Sequence, residues 1–192
     1  MGRGPGKGGQ GVDQIMAIFI ALTGTPGVGK TTVAEALRKE GSIVVDLNEH
    51  AKKNGLLEEF DDDMGSYNVD PERLDESLRE YHRVNGIVFL DGHLSHFLNC
   101  SKIIVLRCNP SILYERLKKR GYAEEKILEN VQAEALDVIL CEAIDTGKDV
   151  YEIDCTSAET STILSEIWDI VKGASGHKPG SVDWGEEMVK WC

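Results

Sequence analysis

Apolar residues fall in short continuous runs separated by stretches with a helical period. Met16–Thr23 is an unbroken apolar run ending in Thr23-Gly24. Ser42–Leu47, Gly86–Asp91, Lys102–Arg107 and Val150–Asp154 are similar runs rich in Ile and Val. Runs of this length without alternation predict strands buried on both faces. Between them lie helical patterns. In Lys30–Lys39, Val33, Ala34 and Leu37 share one face. A short helix is expected over Asn48–Asn54. Asp70-Pro71-Glu72 opens another, with Asp70 as N-cap and Pro71 in the first turn, running to about Arg83. Asn109-Pro110 opens a helix that ends near Arg120-Gly121. Ala123–Ile144 reads as one long helix and Ala158–Lys172 as a final amphipathic one. Strands alternating with helices predict an α/β fold: a five-stranded parallel sheet with helices on both faces. In such sheets ligands bind at the carboxyl ends of the strands.

The segments outside this pattern set the domain limits. Residues 1–14 are Gly-rich with almost no apolar positions, and are expected to be a disordered extension, with Met16 an alternative start. Residues 15–174 form the folded domain and 175–192 a C-terminal tail. Glu58–Tyr67 reads as an acidic loop. In the tail, Trp184 and Trp191 lie in a nonperiodic segment and are expected to dock on the body; a partner site is the alternative.

At the end of the first strand, Gly24-Thr25-Pro26-Gly27-Val28-Gly29-Lys30-Thr31 matches G-x-x-x-x-G-K-[ST] in full. This is the phosphate-binding loop of P-loop NTPases, and its strand-before, helix-after setting is the required context. Gly27 and Gly29 free the backbone to wrap a phosphate, with the Val28 N–H between them. The helix opening at Lys30 aims its positive end at the anion. Lys30 brings a charge to the β- and γ-phosphates, Thr31 a hydroxyl for Mg²⁺, and Thr32 can reach the α-phosphate. The expected cofactors are ATP and Mg²⁺.

Asp91 ends an apolar strand, where a carboxylate holds the Mg²⁺ shell in phosphate-loop enzymes; a plain strand-end cap is the alternative. His93, two residues on, could orient a water or sense the γ-phosphate, or be structural. The run Tyr114–Tyr122 carries Arg116, Lys118, Lys119 and Arg120. Part of this is ordinary helix C-terminal chemistry, with Gly121 as the residue past the cap. The other reading is a lid whose arginines clamp phosphates, Arg120 first, Arg116 second and Lys126 weaker. The residues expected to carry chemistry are therefore Lys30, Asp91, His93 and Arg120.

Charge narrows the partners. The 192 residues sum to a net charge of −12, which argues against a broad nucleic-acid-binding face, and no direct DNA binding is expected. It suits a small-molecule enzyme or a basic partner, and Glu58–Asp63, if not simply a solvated loop, is a surface for one. The five cysteines form no C-x-x-C pair and are expected to be buried thiols. No apolar run is long enough to span a bilayer, and a cytoplasmic protein is expected.

Taken together, GTPGVGKTT, Asp91-Gly92-His93, LYERLKKRGY (residues 113–122) and the stretch Lys126–Glu134 with Asn130, Gln132 and Glu134 resemble the adenylate kinase isoenzyme six family. The resemblance covers about Met16 to Trp168. It implies a small nucleoside monophosphate kinase with a monophosphate-binding region at residues 46–69 and a short lid at residues 119–129, where Arg120 contacts ATP. It further implies transfer of phosphate from ATP to AMP with slow ATP hydrolysis. It implies a role in late maturation of the small ribosomal subunit and pre-rRNA, through transient association with that subunit and binding of a basic small-subunit ribosomal protein. One departure stands out: no Arg lies between Arg38 and Arg73, so Lys52 or Lys53 would have to grip the acceptor phosphate. A mainly ATP-hydrolysing assembly factor and another small-molecule P-loop kinase are the competing readings.

Overall fold

A computed structural model describes residues 17–58, 60–61 and 66–192. The Gly-rich stretch 1–14, Met16 and much of the acidic run, Glu59 and residues 62–65, lie outside the described residues.

Five parallel strands form the sheet: β1 (Ile18–Thr23), β2 (Ile43–Asp46), β5 (Ile87–Asp91), β6 (Lys102–Arg107) and β7 (Asp149–Asp154). Their spatial order is β2-β5-β1-β6-β7. A two-stranded antiparallel hairpin, β3 (Phe60–Asp61) with β4 (Ser66–Tyr67), occupies part of the stretch expected as a loop. Helices α1 (Lys30–Lys39), α2 (Leu47–Lys53), α3 (Pro71–Ser77), α4 (Pro110–Lys119), α5 (Glu124–Ala135), α6 (Val138–Asp145), α7 (Thr160–Val171) and α8 (Gly185–Trp191) complete the chain. Because side chains alternate along a strand, each run builds two cores. Ile20, Leu22, Phe89, Ile104 and Ile153 pack with Val33 and Leu37 of α1, Leu113 and Leu117 of α4, and Ile163 and Ile167 of α7. Phe19, Ala21, Val88, Leu90 and Val105 face the opposite way, onto Ala51 of α2, Leu74 of α3 and Leu140 of α6.

The expected single helix 123–144 is broken. Asp137 takes a left-handed conformation, φ 56°, and its carboxylate pairs with Arg107. The break carries the chain from one core to the other. Ile127 and Val131 of α5 pack on the first, and Leu140 and Ala143 of α6 on the second. The helix expected to reach Arg83 also changes. Ser77 Oγ donates to the Leu74 carbonyl at 2.6 Å, and beyond it the chain tightens into 3₁₀ turns over Leu78–Arg83. The tail docks, and through a helix that its spacing did not suggest. Trp191 stacks on Tyr114 with ring centroids 5.2 Å apart, and Glu187 accepts from Ser111 Oγ at 2.6 Å. Cys100, Cys108 and Cys155 are buried as expected, but Cys141 and Cys192 are exposed. Among the described residues no helix is long and apolar enough to cross a membrane.

The register brings the carboxyl ends of the strands together. Asp46 of β2 lies beside Asp91 of β5, and Asp91 beside Leu22, one residue from the end of β1. Strand β1 is flanked by β5 on one side and β6 on the other, so the loop after it opens at the point where the strand order reverses.

Candidate functional site

The turn from β1 into α1 is built on glycines for two different reasons. Gly24, Gly27 and Gly29 have φ of 139°, 96° and 130°, a region other residues avoid. At Gly24 a Cβ would also lie 2.3 Å from the Leu106 carbonyl oxygen, and at Gly27 2.8 Å from Leu113 and Leu117. At Gly29 nothing stands within 4 Å. The first two glycines let the loop seat against β6 and α4, and the third leaves open the face where a phosphate would sit. Val28, fully buried, plugs the loop into the core below. No side chain caps α1 at Gly29, which leaves its first N–H groups available to an anion. Gly24→Ala is expected to destabilise the fold by about 2 kcal/mol, through clash and backbone strain; urea unfolding measures it.

Lys30 folds its Nζ back onto the loop, donating to the Gly24 carbonyl and to the Thr25 carbonyl at 3.1 Å. Burial pushes its pKa down to about 8, against the pull of Asp91 and Glu134, with Arg120 lowering it further. Asp91 is buried, and desolvation raises its pKa; Lys30 opposes the shift and Asp46 adds to it. Desolvation and the Lys30 charge hold His93 below the ordinary histidine range, so its ring is neutral at pH 7. The backbone around His93 is fixed. Its carbonyl accepts from Thr23 Oγ1 at 3.1 Å, and Gly92 N–H donates to the Leu22 carbonyl at 3.3 Å. Gly92 packs closely on α2, since a Cβ there would meet Leu47 at 3.1 Å.

Three adjoining lobes share lining residues around the loop. The central one holds Gly27, Gly29, Lys30, Thr31, Asp91, His93 and Arg120, with Asp46 and Tyr122 at its walls. A second lobe shares Gly27, Gly29 and Arg120 with it and runs past Val28, Thr32 and Arg116 to Cys155, Ala158 and Ile163. A third shares Thr31 and Asp46 and is lined by Glu35, Arg38, Glu49, His50, Lys53 and Tyr81. Lys30, Thr31, Asp91, His93 and Arg120 thus converge on the central lobe, and Thr32 and Val28 lie next door.

The two arginines of α4 separate. Arg116 donates to the carbonyls of Val28 at 2.9 Å, Cys155 at 2.9 Å and Thr156 at 2.8 Å. It ties the phosphate loop to the β7–α7 connection, so its guanidinium is occupied by backbone. Arg120 is the C-cap of α4 and lines both the central and second lobes. Lys126 pairs with Glu129 at 2.8 Å, away from these lobes. Residues 119–129 comprise the end of α4, a short turn at Gly121 and the first half of α5.

Three features escaped the sequence reading. Arg38 lines the third lobe, seven residues along α1 from Thr31, on the same face as Glu35. The helical spacing 31–35–38 was the available signal. Asp46 stands beside Asp91, visible only through the pairing of β2 with β5. The β7–α7 turn walls the second lobe, and its Cys155 thiol is pushed up to about 12 by burial and so stays protonated.

Hard oxygen donors suit Mg²⁺, which keeps several waters and takes few protein ligands beside phosphates. The Thr31 hydroxyl and the Asp91 carboxylate, with Asp46 nearby, share one lobe and fit that ion.

Comparison with known proteins adds the relatives. Residues 20–137 match the family described as "AAA domain". A protein of Methanocaldococcus jannaschii named "Putative adenylate kinase" is 51% identical over 173 residues, which cover 90% of this chain and 96% of that protein. One of the same name from Archaeoglobus fulgidus is 45% identical, covering 89% and 94%. Among solved structures, shikimate kinase from Acinetobacter baumannii in complex with shikimate superposes with a TM-score of 0.55 at 17% identity, covering 83% of this chain and 96% of that one. Deoxyadenosine kinase from M. mycoides gives 0.50 at 17% identity, covering 82% and 100%. These structures share the fold, a P-loop kinase α/β sheet.

Proposed function

The chain belongs to the family of archaeal proteins named "Putative adenylate kinase", and on that premise we propose that it transfers the γ-phosphoryl group of ATP to AMP, yielding two ADP. The observation that carries this reading is the third lobe. A cavity whose wall carries Arg38 and Lys53 among the carboxylates Glu35, Asp46, Glu49 and Glu80 adjoins the phosphate loop, sharing Thr31 and Asp46 with the central lobe. That is where a second, anionic substrate would stand in line with a γ-phosphate held by Gly27–Lys30. The adenine and ribose of ATP would take the second lobe. Residues 46–69 then serve as the monophosphate-binding region and 119–129 as the lid.

The roles follow from the geometry. The loop N–H groups and Lys30 would hold the β- and γ-phosphates. Arg120, at the junction of two lobes, would neutralise charge on the transferring group. Thr31 and Asp91 would hold Mg²⁺, which would supply positive charge to offset that of the phosphates. The AMP phosphate oxygen attacks the γ-phosphorus as the bond to the ADP oxygen breaks. As a dianion it carries no proton to lose, so the transfer needs no general base. Water does need one, and the neutral ring of His93 could accept its proton. Only a short turn connects α4 and α5 over the cleft, which favours a second activity, ATP hydrolysis, when AMP is scarce. From the net charge of −12 we infer further that the protein serves small-subunit maturation by binding a basic ribosomal protein. ATP and AMP are cytoplasmic solutes, and the reading places the protein with them.

The test is ADP formation from ATP and Mg²⁺ with and without AMP, then with a basic small-subunit ribosomal protein. AMP is expected to raise the rate. A rate that AMP leaves unchanged, with no AMP consumed, overturns the kinase reading. A ribosomal protein that neither binds nor alters hydrolysis overturns the assembly reading.

A proton-linked prediction follows from Lys30. Its pKa of about 8 must rise again when phosphates surround it. ATP binding is therefore expected to take up a proton above about pH 8, and affinity to fall as pH rises further. Calorimetry in buffers of different ionisation enthalpy measures the uptake.

A further inference from the structure

Beneath the phosphate loop, on the side away from the cleft, lies a charge cluster that the transfer chemistry does not use. Arg107, at the end of β6, is 1% exposed and faces three carboxylates. Its Nε donates to Glu134 at 2.8 Å, its Nη1 to Glu152 at 2.9 Å, and its Nη2 to Asp137. One guanidinium cannot neutralise three carboxylates, so the remaining lone pairs need other donors. They come from two directions.

From the tail, Trp184 Nε1 donates to Glu134 Oε1 at 3.2 Å, and the Val182 N–H donates to Glu152 Oε1 at 2.9 Å. The Trp184 ring also lies under the Arg107 guanidinium, 5.9 Å from its carbon. From the other side comes the phosphate loop. Thr25 Oγ1 donates to Glu134 Oε2 at 2.5 Å. The two oxygens of Glu134 are thus divided. Oε1 collects Arg107, the Cys108 N–H at 3.1 Å and Trp184, while Oε2 holds the loop.

We propose that Glu134 is a positioning residue for the phosphate loop and that the C-terminal tail completes it through Trp184. Thr25 follows the first loop glycine, and its carbonyl also receives Lys30. Fixing Thr25 fixes the start of the loop and the resting place of the lysine. Trp184, which lines none of the three lobes, holds the carboxylate that holds Thr25. Nucleotide affinity therefore depends on a segment that does not line the cleft. The inference rests on the loop being the nucleotide site.

A double-mutant cycle on the full chain tests it, read as the dissociation constant of ATP with Mg²⁺ beside the thermal midpoint. Thr25→Val, which removes the hydroxyl at nearly constant shape, is expected to weaken binding about tenfold. Thr25→Ser keeps the hydroxyl and restores most of that loss. Trp184→Phe keeps the ring over Arg107 but removes the N–H, and is expected to weaken binding about threefold. The double variant binds about as the Thr25→Val variant does, because the connection is already cut. Fold-losses that multiply in the double variant overturn the proposal. So does a Trp184→Phe variant that melts lower but binds ATP as the parent does, since that is a tail with a structural role only. Failure of the nucleotide assignment itself reads differently: Lys30→Ala would then bind ATP unchanged.

Discussion

Replacing Lys30 by alanine is expected to lower turnover of ATP with AMP by about 10³-fold while the protein stays folded. The reason is positional. Lys30 opens α1 at the centre of the cleft, beside Asp91 and within the field of Arg120. Its charge is already partly desolvated, as its pKa of about 8 records, and a charge in such a setting acts on phosphate more strongly than one in water. The same desolvation means that the fold gains little from it. The thermal midpoint of the variant should accordingly stay near that of the parent. Lys30→Arg is not expected to rescue turnover, because a planar fork cannot reproduce a compact ammonium in contact with loop carbonyls. Steady-state kinetics beside thermal melting separates the outcomes, and retained turnover would remove the loop from the active site.

The second large effect concerns stability. Arg107→Met would leave Glu134 and Glu152, 2% and 0% exposed, buried without their shared counter-charge. Breaking a buried pair from one side costs about 3–5 kcal/mol, more than the pair contributes when intact. For a chain of this size that corresponds to a thermal midpoint about 10 °C lower. The exposed pair Arg73–Glu58, 3.3 Å apart with both side chains about half exposed, is the internal control. Arg73→Met should cost less than about 1 kcal/mol. Urea unfolding of both variants decides. Equal small losses would mean that the cluster is more hydrated than its geometry implies.

The readable and unreadable parts of this chain divide along physical lines. Strands buried on both faces announce themselves as continuous apolar runs, so the sheet and the loop at the end of β1 were legible. Lys30, Thr31, Asp91, His93 and Arg120 lie in or beside motifs whose spacing is local, and they meet in one lobe. What stayed hidden depends on pairing across the fold. Arg107 closes an apolar strand and looks like a cation leaving the core, yet it is among the largest fully buried side chains. Its burial is set by Glu134, Asp137 and Glu152, which are distant in sequence. The break at Asp137 is masked because Leu136, Val138 and Ile139 continue the apolar pattern across it. Arg38 precedes β2 in sequence and comes onto the same lobe as Lys53 only through the fold. The tail helix α8 is seven residues long, too short to show a period, and it is held by Trp191 on Tyr114 and by Glu187 on Ser111.

Following the terminal phosphate of ATP labelled at the γ position tests the adenylate kinase assignment most directly. With AMP and Mg²⁺ present, the label is predicted to appear in ADP, at the β-phosphate newly joined to AMP. Label recovered only as inorganic phosphate, with AMP unconverted, would contradict phosphoryl transfer and leave hydrolysis as the activity of the site.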